Sequence, residues 1–123
     1  MANPPLIAVV DDDVSVRESL GGFIRSLGFA VRLFDSAEEY LSWPDLRKTN
    51  CLILDVRMPG MSGPELHRLL VASQRGVPVI FITAHGDEEA RSRALGDGAV
   101  DFLRKPFSEE ALLKAIHVAL RSQ

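Results

Sequence analysis

Cysteine is almost absent: Cys51 stands alone among 123 residues. A single thiol excludes an internal disulfide and a thiolate zinc site, and it suits a chain kept in a reducing compartment. A basic excess is missing as well. Lys and Arg number 14 against 17 Asp and Glu, a net charge of −3, so the chain lacks the positive field with which nucleic-acid-binding domains gather phosphates. No direct DNA binding is expected of this segment. Long apolar runs are also missing. Uncharged stretches are short and broken by Gly and Pro, which excludes a membrane-crossing helix. The opening Met1-Ala2-Asn3-Pro4-Pro5 has no basic residue and runs into three aspartates by position 13, which is no secretory leader. These absences lead to the expectation of a cytoplasmic chain with no membrane association. What is present, 46% hydrophobic and 25% charged residues, is the balance of a folded domain. The length fits one domain spanning residues 1–123.

Five short apolar runs alternate with stretches of helical period. The runs are Leu6 to Val10, Ala30 to Phe34, Cys51 to Leu54, Val77 to Ile82 and Val100 to Leu103. Several are apolar at consecutive positions, the pattern of parallel strands covered on both faces. Between them Val16, Leu20, Phe23, Ile24 and Leu27 recur at helical spacing, as do Leu66, Leu69 and Leu70, and Leu112, Ala115, Ile116, Ala119 and Leu120. Ser36-Ala37-Glu38-Glu39 and Ser62-Gly63-Pro64-Glu65 read as capping boxes, and Ser108 as a third cap. Gly28 stops the first helix, and Gly96 and Gly98 the fourth. That fourth helix, about 87–97, has only Ala90, Ala94 and Leu95 on its apolar side, so it should pack loosely. Five β-then-α units predict a three-layer α/β domain, a doubly wound open parallel sheet with right-handed crossovers.

In such sheets ligands bind beyond the carboxyl ends of the strands. The first run ends in Asp11-Asp12-Asp13, the third in Asp55 and the fourth in Thr83, and the fifth reaches Lys105. The second ends in Asp35-Ser36, better explained as a helix cap. Convergence of Asp11, Asp12 and Asp55 would be costly, because two carboxylates about 4 Å apart repel by about 4 kcal/mol at an effective dielectric near 20. The cluster then stays partly protonated or recruits a cation. An all-oxygen site suits Mg²⁺ or Mn²⁺ better than zinc. One carboxylate holding the metal and another attacking phosphorus, with Lys105 and Thr83 on the phosphoryl oxygens, is a coherent set for phosphoryl transfer to a carboxylate. Taken singly, each residue has a plainer reading: Asp13 or Ser15 a helix cap, Asp55 a loop residue, Thr83 a strand-end cap, Lys105 a solvated charge.

Val9-Val10-Asp11-Asp12, Asp55-Val56-Arg57-Met58-Pro59-Gly60-Met61-Ser62-Gly63, Thr83-Ala84 and Lys105-Pro106-Phe107 together resemble the receiver domains of bacterial two-component response regulators. The resemblance covers essentially residues 6–120. Thr83-Ala84-His85-Gly86-Asp87 and Gly98 to Phe102 look like the nitrogen-fixation-regulator class, which usually carries a C-terminal helix-turn-helix. The resemblance implies a five-stranded flavodoxin-like order 2-1-3-4-5 and a signalling switch that assists only its own phosphorylation and dephosphorylation. Asp55 would accept a phosphoryl group from a sensor histidine kinase. Asp12 and Asp55 would ligate Mg²⁺, with Asp11 acting through water and the Arg57 backbone carbonyl completing the set. Thr83 and Lys105 would contact the phosphoryl oxygens, and Thr83 and Phe102 would form the switch pair, Phe102 standing where the family often has tyrosine. The resemblance further implies a cis Lys105–Pro106 bond and phosphorylation-driven homodimerisation through the face of the fourth helix, fifth strand and fifth helix. It places Arg57 and His85 where the family tunes dephosphorylation. Because the subclass usually precedes a DNA-binding domain, the chain reads as the first part of a longer transcriptional regulator.

Two other classes compete. A haloacid-dehalogenase-like phosphatase would want a second aspartate two residues after the nucleophile, where Arg57 stands. A flavodoxin-like electron carrier would want a phosphate-cradling loop after the first strand, where three aspartates would repel a phosphate. Of the remaining residues, Cys51 reads as inert core and Tyr40, Leu41 and Trp43 as packing of the second helix. His67 and His117 fall on expected polar helix faces, and His85 sits beside the proposed site, where it would titrate near neutral pH.

Overall fold

The computed structural model describes residues 3–84 and 88–121. Five parallel strands, β1 (Leu6–Val10), β2 (Ala30–Phe34), β3 (Cys51–Asp55), β4 (Val79–Thr83) and β5 (Asp101–Arg104), lie in the order β2-β1-β3-β4-β5. The helices between and after them are α1 (Val14–Ser26), α2 (Ala37–Leu41), α3 (Gly63–Ala72), α4 (Glu88–Gly96) and α5 (Glu109–Arg121), with a 3₁₀ turn at Leu46–Lys48. The expected α/β architecture is the observed one.

The continuous apolar runs have a simple cause. Successive strand side chains point to opposite faces, and both faces are covered. Ile7, Val9, Ile53, Ile80 and Ile82 pack with Leu20 and Ile24 of α1 and with Leu112, Ala115, Ile116 and Ala119 of α5. Ala8, Val10, Leu52, Leu54 and Phe81 face the other way, onto Tyr40 of α2, Leu66 and Leu70 of α3 and Ala94 of α4. Two thin cores thus clamp one sheet. Each fully buried Leu or Ile contributes about 1.5–3 kcal/mol.

The boundaries depart from the sequence reading in informative ways. β4 starts after Pro78, which has no N–H to give although its carbonyl accepts from Leu52 N at 2.9 Å. β3 runs one residue further than the apolar letters, so Asp55 is the last residue of a central strand and not a loop residue. At α2, Ser36 caps Glu39 N as expected, but the Glu39 carboxylate accepts from Asp35 N instead of closing a reciprocal box. Ser62 and Glu65 do close one at α3. Helix α2 ends at Leu41, so Trp43 lies past it. Its packing role stands, since its ring lies 5.3 Å from Phe34 and 6.3 Å from Tyr40, with the Arg32 guanidinium 5.2 Å away.

His67 departs most. The sequence placed it on a polar face, yet it is buried, edge-on to Phe81 with ring centroids 5.5 Å apart, while Leu69 is exposed. The buried stripe of α3 is Gly63, Leu66, His67 and Leu70. That is a regular i, i+3, i+4, i+7 series. Helix α4 buries only Ala94, as its sparse apolar side predicted.

Candidate functional site

Strand order places the site. From β1 the chain crosses to β2 on one side and returns past β1 to β3 on the other, so a crevice opens at the carboxyl ends of β1 and β3. Asp11 follows β1 and Asp55 ends β3, and the register brings Val10 beside Leu54. Carboxylate oxygens of Asp11, Asp12 and Asp55 all lie within 4.8 Å of one another. Asp11 is fully buried, Asp55 nearly so, and Asp12 exposed.

Each carboxylate has its own environment. Asp11 Oδ1 accepts the Asp13 N–H at 2.9 Å, and its Oδ2 lies 3.3 Å from Lys105 Nζ. Arg17 on α1 donates to the Asp11 carbonyl at 2.6 Å. Asp13 turns away and caps α1, accepting from Ser15 N and Val16 N. Burial, and then the Asp11 charge, push the Asp55 carboxyl up to about 7; Lys105 and the Arg57 backbone N–H hold it down, and Asp12 adds a smaller push upward. Asp55 is therefore poised to exchange its proton for a cation near neutral pH.

The other predicted residues are placed as follows. Thr83 is buried at the end of β4, its carbonyl accepting Lys105 N at 2.7 Å, which ties the Lys105 backbone to the site. The Lys105–Pro106 peptide is cis. Phe102 is buried, its ring 6.3 Å from Phe81. The Arg57 side chain is exposed, and His85 lies outside the described residues. His117 is exposed, and Cys51 is buried, with burial pushing its thiol up to about 12, so it is unreactive.

Two glycine positions shape the loop from Val56 to Ser62. A Cβ on Gly63 would sit 2.2 Å from the Asp55 carbonyl oxygen, so only glycine lets α3 start against the strand that carries Asp55. Gly60 has φ +75°, and the carboxylate of Glu38 on α2 fits against it and accepts the Met61 N–H at 3.0 Å. Neither Glu38, legible in sequence only as part of a helix cap, nor Arg17 is marked as a site residue by the sequence pattern. Arg17 had a faint signal, four residues after the Asp13 cap and so one turn above it. Glu38 had none, because its partner is 23 residues away.

The response regulator receiver domain model matches residues 7–117. The chain belongs to this family. The receiver domain is 46% identical over 116 residues to the response regulator protein TmoT of Ectopseudomonas mendocina, covering 94% of this chain and 53% of that protein. It is 42% identical over 115 residues to the transcriptional regulatory protein FixJ of Bradyrhizobium diazoefficiens, covering 94% of this chain and 56% of the relative. The crystal structure of FixJ-N superposes with a TM-score of 0.89 at 40% identity, covering 99% of this chain and 98% of that one. The receiver domain spans about half the length of these curated relatives. No helix among its described residues is long and apolar enough to cross a membrane.

Proposed function

We propose that this receiver domain is a phosphorylation-controlled switch of a two-component system, with Asp55 as phosphoacceptor. The observation that carries the reading is the buried carboxylate at the end of β3, raised to about 7 and grouped with Asp11 and Asp12. In the transfer, an Asp55 oxygen forms a bond to phosphorus as the phosphorus–nitrogen bond of a kinase phosphohistidine breaks. The imidazole nitrogen keeps the electron pair and takes a proton.

The donor set fits a hard divalent cation: three carboxylates, oxygen only, whose mutual repulsion a cation relieves. Asp12 and Asp55 would hold Mg²⁺ or Mn²⁺, with the Arg57 carbonyl beside them and Asp11 acting through water. A bound cation supplies neutralisation of the charge on the transferred group. This chain's residues do the rest. Lys105, carried on the Thr83-tethered backbone, exchanges its Asp11 contact for a phosphoryl oxygen, and Thr83 offers its hydroxyl. Phe102 repacks as Thr83 moves, and the weakly anchored α4 shifts with it. The readout is homodimerisation through the face of α4, β5 and α5, in a cytoplasmic regulator that continues into a DNA-binding domain. The exposed Arg57 would pair with the phosphoryl group and, with His85, slow its hydrolysis.

The test is Mg²⁺-dependent labelling by a small phosphodonor such as acetyl phosphate. Wild type should take up one phosphoryl group, and Asp55→Asn none. Sedimentation of the labelled protein should show dimer where the unlabelled protein is monomer.

A further inference from the structure

Between α3 and α4 lies a cavity of about 120 Å³ lined by none of Asp11, Asp12, Asp55, Thr83 or Lys105, though Phe102 forms one wall. Its walls are Phe81, Phe102, His67, Pro64, Ala90 and Ala94. The rings are not stacked on one another: His67 stands edge-on to Phe81 at 73°, and Phe102 is tilted from Phe81 by 47°. The space exists because α4 presents alanine at both positions 90 and 94, one turn apart on the side facing α3. Burial lowers the pKa of His67, so its ring is neutral at pH 7 and joins the apolar lining. A cavity of about 150 Å³ with apolar walls stays dry and takes a benzene-sized guest.

The solvent side is different. Besides Val56, the lining holds Arg68, Arg93 and Asp97, two guanidiniums and one carboxylate. Arg68 holds Asp97 at 3.8 Å and Arg93 holds Glu89 at 2.9 Å, both as exposed pairs of little strength. Either guanidinium can turn to a better-placed anion without leaving a buried charge behind.

We propose that this cavity is a binding site for a small one-ring aromatic carboxylate, its ring lodged among Phe81, Phe102 and His67 and its carboxylate at Arg68 and Arg93. The ring supplies α4 with the apolar contact its own sequence lacks. The guanidiniums at the mouth favour an anion over a neutral ring, and the edges and faces of Phe81, Phe102 and His67 favour edge-to-face contact with an aromatic over a saturated guest.

Benzoate is the probe, titrated into the unphosphorylated protein and followed by the side-chain NMR signals of His67, Phe81 and Phe102. These should shift together and saturate, with a dissociation constant on the order of 1 mM or tighter. Toluene and cyclohexanecarboxylate should each bind at least about threefold more weakly, and acetate should move none of the three signals. Arg68→Gln with Arg93→Gln should weaken benzoate at least about threefold and leave toluene unchanged. Ala94→Leu and Ala90→Leu each fill the cavity, and whichever folds as wild type should abolish the shifts. The proposal is overturned by the absence of saturable shifts at about 20 mM benzoate, by toluene or cyclohexanecarboxylate binding as well as benzoate, or by shifts that persist in a folded filled variant.

Discussion

Lys105 and Asp11 form an ion pair across the carboxyl edge of the sheet, Nζ 3.3 Å from Oδ2, on a carboxylate with no solvent exposure. The pair sets the resting charge of the site. Three carboxylates face one ammonium, and of the carboxylates Asp12 is the exposed one. From that position the Lys105 ammonium also holds the Asp55 carboxyl down.

Replacing Lys105 by methionine strips Asp11 of that ammonium and should cost about 1–3 kcal/mol of unfolding free energy. The partial exposure of Lys105 keeps the loss below that of a fully buried pair. Asp11→Asn combined with Lys105→Met should recover most of it, since both charges are then gone. Urea unfolding of the two variants measures this. A Lys105→Met protein as stable as wild type would show that the pair contributes nothing.

Asp55 makes stability depend on pH in a definite direction. Its folded-state carboxyl is raised to about 7, so the folded protein holds this proton more tightly than the unfolded chain, whose carboxyl titrates near 4. The stability this gives is complete below about pH 4 and is lost as pH rises through 7. Asp55→Asn should therefore exceed wild type in metal-free stability by more at pH 8 than at pH 5. Added Mg²⁺ should stabilise wild type at pH 8 and leave Asp55→Asn nearly unchanged. Melts at the two pH values, with and without Mg²⁺, decide it; an advantage for Asn that does not grow with pH counts against the carboxylate cluster as its origin.

His67 acts in the opposite sense. Burial lowers its pKa from 6.5, with Asp97 pulling up and Arg68 adding a smaller push down. Its contribution is present above pH 6.5 and is lost as pH falls through the depressed value. His67→Phe should flatten this acid loss while changing stability at pH 8 by less than about 1.5 kcal/mol. Unfolding free energies of both proteins between pH 5 and 8 test the difference.

Gly63 and Gly22 make a matched pair. Alanine at 63 drives a methyl into the Asp55 carbonyl, whereas at Gly22, on the exposed side of α1, nothing lies within 4 Å. Gly22→Ala should stabilise by about 0.5–1 kcal/mol. Gly63→Ala should destabilise by more than about 3 kcal/mol, because backbone must move. Thermal unfolding of the two variants is the check.

Much of the fold was legible because both sheet faces are covered: Leu6 to Val10 and Cys51 to Leu54 read as buried strands without any partner being known. The site residues lay at the ends of those runs, so Asp11, Asp12, Asp55, Thr83 and Lys105 were visible as a set. What the sequence hid is what depends on the third dimension. His67 is polar by name, and its burial edge-on to Phe81 of β4 depends on where the sheet lies, although its place in the Gly63-Leu66-His67-Leu70 series is a hint. Glu38 holds the Met61 amide across 23 residues, a link that spacing cannot show. Lys105 stood out as a phosphoryl contact, but its resting place on Asp11 depends on side-chain reach.

The central claim is that one carboxylate, Asp55, takes the phosphoryl group. Treatment with acetyl phosphate and Mg²⁺, then borohydride, reduces an aspartyl phosphate to homoserine, which peptide sequencing by mass spectrometry locates. Homoserine at position 55, with none at 11 or 12 and none without Mg²⁺, is the expected result. Homoserine at Asp11 or Asp12 instead, or its absence from all three positions, would contradict the account.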